Sequence, residues 1–121
     1  MAVPQTGSAP SERDRRRSQR LLFDVPLIVR GESAEHAPFR EETFTISVNA
    51  HGALLLLSAK VAVGQSLFLT NAETQDEREG RVASFGSPYG GLAQVAVEFR
   101  QPAAEFWHVD PPPQSWISAK T

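Results

Sequence analysis

Residues 13–20 read RDRRRSQR, which places five arginines in eight positions of a chain whose formal net charge is -2. A guanidinium group is suited to anions and purines. Its planar fork donates paired hydrogen bonds to a phosphate or to O6 and N7 of guanine, and its face stacks on a purine ring. Lysine, a point charge, does neither as well. Arg16 and Arg20, separated by three residues, are the pair best spaced to act together. The ordinary alternative is a solvated, like-charged tail. The second stretch with usable chemistry is SVNAHG, residues 47–52. Ser47 offers a short hydroxyl, Asn49 an amide that both donates and accepts, and Gly52 a place where a ligand or backbone comes close without meeting a Cβ. The same residues also make a tight turn, in which Asn and Gly tolerate positive φ and His51 is an exposed turn residue.

Charge narrows the choice of ligand. Residues 12–20 hold five Arg against Glu12 and Asp14, a local +3, while the remainder holds seven Lys and Arg against twelve Asp and Glu, giving -5. Such a body repels an extended polyanion, and no aromatic residue is interleaved with the arginines to stack bases. A nucleic-acid polymer is therefore disfavoured and a small anionic ligand favoured. Catalytic constellations are missing: no G-x-x-x-x-G-K-[ST], G-x-S-x-G or H-E-x-x-H occurs, and His36, His51 and His108 are scattered without ligand spacing. Glu73, Asp76, Glu77 and Glu79 fall in a polar connection and read as a solvated surface. The expectation is no enzyme activity, no metal and no cofactor. The chain has no cysteine, its longest apolar run is Ala53 to Leu57, and its first residues lack the basic and apolar regions of a secretory signal. These features predict a cytoplasmic protein without a membrane span.

The arginines and the SVNAHG stretch must be positioned by strands, because short alternating segments follow one another with no long helical pattern between them. In LLFDVPLIVRG, Phe23, Val25, Leu27 and Val29 share one face at period two, and Pro26 marks an edge or bulged strand. ETFTISV alternates again, with Phe44, Ile46 and Val48 on the apolar side. GALLLLS is a short buried strand, SLFLTN a fourth, and GRVASF and LAQVAVEF a fifth and sixth joined by the turn GSPYGG. The acidic NAETQDERE is read as a hairpin connection. QPAAEFWHV begins a short helix that DPPPQSW ends. Phe106, Trp107 and Trp116 are packing anchors for a C-terminal flap.

An RxxxR pair ahead of the first strand, an SxNxxG segment between the second and third, and the closing GRVASF…LAQVAVEF together resemble the PilZ domain, a bacterial module that binds the second messenger cyclic di-GMP. The resemblance covers residues 13–108. It implies an all-β, six-stranded antiparallel barrel of the split-barrel type, with residues 1–12 as a flexible leader and 109–121 as a C-terminal tail carrying a short helix or flap. It also implies a cyclic di-GMP site at Arg16, Arg20, Ser47, Asn49 and Gly52, and a downstream protein partner. The second motif departs from the family, which has Asp or Asn where this chain has Ser47 and Ser where it has Asn49. An Asp accepts two hydrogen bonds from guanine N1 and N2, whereas the Ser47 hydroxyl has less reach and no charge. The implied site is thus a weakened one. The alternative is a PilZ-like interaction module that no longer binds nucleotide and contacts its partner through the first-strand edge near Pro26 or the aromatic flap.

Overall fold

The computed structural model describes residues 20–109 and 112–119. Arg16 and the leader 1–12 lie outside the described residues. Seven strands form: β1 (Leu21–Leu22), β2 (Pro26–Glu32), β3 (Pro38–Asn49), β4 (Gly52–Leu57), β5 (Ser66–Asn71), β6 (Glu77–Phe85) and β7 (Ala93–Phe99). Every pairing is antiparallel. The hydrogen-bonded order β3-β2-β5-β6-β7-β4 returns from β4 to β3, so six strands close into a barrel and β1 lies outside it on β3. Closure leaves the six barrel strands without a free edge, the usual liability of an antiparallel sheet.

Alternation decides what fills the barrel. Leu27 and Val29 of β2, Leu55 and Leu57 of β4, Leu67 and Leu69 of β5, and Val95 and Val97 of β7 all point inward and are buried. β-branched and leucine side chains at period two give each strand one dry face. At about 25 cal/mol per Å² of apolar surface, each such side chain contributes roughly 1.5–3 kcal/mol.

β3 departs from the simple pattern. Phe44 was expected inside with Ile46 and Val48, but Phe44 is 60% exposed and Thr45 takes the interior position at 3%. A bulge between Thr45 and Ser47 shifts the alternation, which brings Val48 back into the core. The displacement has a cause in the adjacent segment from β1 to β2. Leu21 and Leu22 pair with Val48 and Ser47, the ladder then breaks, and it resumes at Pro26, which has no N–H to donate. Across the break Thr45 Oγ1 accepts the Val25 N–H at 2.8 Å and donates to the Phe23 carbonyl at 2.5 Å, replacing the missing ladder bonds. Phe23 therefore does not join Val25, Leu27 and Val29 in the core and is 39% exposed. Pro26 does not mark an edge either, because β2 has β3 on one side and β5 on the other.

Three smaller differences follow from local chemistry. β6 begins at Glu77, earlier than the glycine at 80, because the Asn71 side chain closes the turn by accepting the Glu73 N–H. The acidic residues there are solvated and paired: Glu77 meets Arg30 at 2.7 Å and Glu79 meets Arg100 at 3.7 Å. Beyond the prolines the chain turns helical again as α1, Gln114–Ala119, since proline is tolerated ahead of a first helical turn.

The barrel end is plugged by a 3-10 turn, Ala104–Trp107. Phe106, Trp107 and Trp116 are all buried, as packing anchors should be. The Phe99, Phe106 and Trp107 rings pack with centroids 4.8–5.7 Å apart. Buried Asn71 ties the plug to β5 by donating to the Phe106 carbonyl at 2.9 Å.

Thr45→Val is expected to lower the unfolding free energy by about 1–3 kcal/mol, because it strands the Val25 N–H and Phe23 carbonyl. Thr45→Ser, which keeps the hydroxyl, should retain most of the stability. Urea denaturation of the two variants side by side provides the comparison.

Candidate functional site

The turn from β3 to β4 is held from two directions. Within the turn, Asn49 Oδ1 accepts the His51 N–H at 2.9 Å, the side-chain-to-backbone bond that suits Asn to such positions. Asn49 itself is the last residue of β3, so it serves the turn through this bond and not through a positive φ. From below, the plug, the residue before it and the end of β7 hold the turn's carbonyls: Trp107 Nε1 donates to Asn49 O at 2.8 Å, the Ala103 N–H to Ala50 O at 2.8 Å, and the Phe99 N–H to His51 O at 2.7 Å. Trp107, a packing residue in the sequence reading, thus also fixes the backbone that carries Asn49. His51, expected to be exposed, is half-buried.

Gly52 follows, and its role is steric. A Cβ built there would lie 1.9 Å from the Val97 carbonyl oxygen, so β4 meets β7 at a separation only glycine allows.

On the outer face of the barrel beside this turn lies a groove of about 330 Å³, near the small end of the roughly 300–1,000 Å³ common for ligand pockets. Four of the five residues named from sequence line it: Arg20, Ser47, Asn49 and Gly52. The fifth, Arg16, is outside the described residues. Arg20 immediately precedes β1, whose pairing of Leu21 with Val48 carries it to the flank of β3. Ser47 and Asn49 are two apart on β3 and form the adjoining wall. Ser47 is only 3% exposed, held between Leu22 of β1 and Leu54 of β4. The groove is more than the two motifs. Leu54 and Ala96, directly paired across β4 and β7, give it an apolar floor, and Gln94 and Glu98 of β7 with Ser84 of β6 give it a far wall. Sequence reasoning missed this wall. The outward positions 94, 96 and 98 follow from period two, but nothing local says that β7 neighbours β4.

In charge, the groove runs from Arg20 on one side to Glu98 on the other. Its floor is small and apolar, able to take the face of a planar ring, and its walls supply a guanidinium, hydroxyls, two amides and a carboxylate. A second hollow, about 500 Å³, adjoins it across Glu98 and His51 and includes Arg81 and Arg100. Among the described residues, no group of three or more His, Asp or Glu could hold a metal ion. No helix among them is long and apolar enough to cross a membrane. Comparison with known proteins finds no matching family model and no matching curated protein.

Gly52→Ala should cost at least about 2 kcal/mol, a fall in Tm on the order of 5–10 °C, since the Val97 carbonyl has to move for the methyl to fit. Thermal unfolding followed by circular dichroism measures it, and an unchanged Tm would contradict the close approach of β4 to β7.

Proposed function

We propose that this domain is a receptor for cyclic di-GMP, with the PilZ type of site weakened at its second motif. The observation that carries this reading is the common groove: Arg20, Ser47, Asn49 and Gly52, nominated by two separate sequence motifs, line a single surface hollow. The groove also has the chemistry a guanine nucleotide needs, an apolar floor for the base and a guanidinium for a phosphate or for the O6/N7 edge. Arg16, four residues before Arg20, adds a second guanidinium. Ligand binding changes the surface offered to a partner protein, and no covalent step is involved.

One observation favours a second reading, an interaction module indifferent to nucleotide. Asn49 Oδ1 is already bonded to the turn, and Ser47 is nearly buried. The two readings separate in a calorimetric titration of the full chain with cyclic di-GMP. Binding is expected in the wild type, with affinity reduced about 10- to 100-fold in Arg20→Ala, the equivalent of a lost charge-assisted pair at roughly 1.5–3 kcal/mol. Absence of heat at submillimolar ligand in the wild type would leave the interaction module as the better account.

A further inference from the structure

Among the described residues that line the groove, Glu98 carries the carboxylate. It lies on β7 directly opposite Gly52, which in turn is directly opposite Asn49 on β3. Arg20 stands one residue beyond the Leu21–Val48 pair, on the Asn49 side. These four residues therefore form a row across the sheet from cation to anion: Arg20, Asn49, Gly52, Glu98. All of them line the groove. Adjacent strands are about 4.8 Å apart, so the Cα atoms of Arg20 and Glu98 are separated by about 14 Å.

That row matches one base better than the other purine. Guanine carries acceptors, O6 and N7, on one side, and donors, N1–H and the exocyclic N2 amine, on the other. A guanine lying over Gly52 and the Leu54/Ala96 floor can turn its acceptor side to Arg20 and its donor side to Glu98. Adenine cannot do this, because its N1 is an acceptor and would face the carboxylate lone pairs.

We propose that Glu98 is the specificity-determining residue of this groove, its two carboxylate oxygens accepting from N1–H and N2–H of guanine, a contact that Ser47 is too short and too buried to make. This rests on the cyclic di-GMP reading of the same groove. It assigns base selection to β7, whereas the second sequence motif lies on β3, β4 and their turn, and Arg20 precedes β1.

The test is a titration series on the full chain with three ligands: cyclic di-GMP, cyclic di-AMP, and the inosine analogue of cyclic di-GMP, which lacks the N2 amine. The wild type should bind the inosine analogue about tenfold more weakly than cyclic di-GMP, and cyclic di-AMP more weakly still. In Glu98→Gln, whose amide accepts one bond and donates one, affinity for cyclic di-GMP should fall about tenfold or more. The inosine penalty should shrink toward unity, and cyclic di-AMP should bind as well as or better than to the wild type. A purely structural role for Glu98 would lower all three affinities together. If the wild type binds cyclic di-GMP but shows no inosine penalty, the assignment of Glu98 is overturned while the receptor reading stands, and this arm needs no variant to fold. The assignment is likewise overturned if Glu98→Gln binds cyclic di-GMP within twofold of the wild type. A wild type that binds none of the three overturns the receptor reading and the assignment with it.

Discussion

The approach of β4 to β7 at Gly52 is the constraint on which the rest of the molecule depends. Because the Val97 carbonyl oxygen occupies the space a Cβ would need, the two strands can run side by side from Gly52–Glu98 to Leu57–Ala93. That ladder, with the β3–β4 pairing, closes the barrel. In the groove the same glycine lies between Asn49 of β3 and Glu98 of β7. In a barrel whose interior is filled by Leu and Val, the polar groups of the groove gather on the outer face near the turn.

The aromatic plug couples the core to that face. Trp107 is buried, yet its indole N–H must find an acceptor, and it finds the carbonyl of Asn49. Two backbone donors, Ala103 and Phe99, take the next two carbonyls of the turn. Three successive carbonyls held from below fix the backbone of the β3–β4 turn. The geometry of the groove therefore depends on Trp107, Ala103 and Phe99, which do not line it. Groups supported in this way by a packed scaffold hold their geometry better than the same groups on a loop.

On the other flank, Thr45 plays a comparable part. Its hydroxyl spans the break between β1 and β2, so that β1 can leave the barrel wall and lie against the end of β3 with Arg20 at its start. The price of this arrangement is a polar side chain in an interior position, kept satisfied by two backbone groups. Without that break, Phe23 would continue into the core and Arg20 would not sit beside the end of β3. The groove thus draws on a glycine, an indole and a threonine hydroxyl, each solving a packing problem of its own.

Much of this architecture is legible in the chain. Period-two alternation through Val25, Leu27 and Val29 marks the inward face of β2, and the apolar runs in GALLLLS, SLFLTN and LAQVAVEF mark β4, β5 and β7 as strands, because burial is a local, repeating demand. The glycines and proline of GSPYGG mark a turn for equally local reasons, and the arginine cluster and SVNAHG stand out by composition. Other features depend on neighbours the sequence does not name. Thr45 displaces Phe44 from the interior because the break before Pro26 needs a hydroxyl, a requirement set on a different strand. Glu98 faces Gly52 only because β7 pairs with β4, and Trp107 reaches Asn49 only because the chain returns beneath the turn. Residue type and spacing determined which elements form and which side chains carry chemistry. Strand order and register, which are global properties of closing a barrel, decided which of those side chains meet.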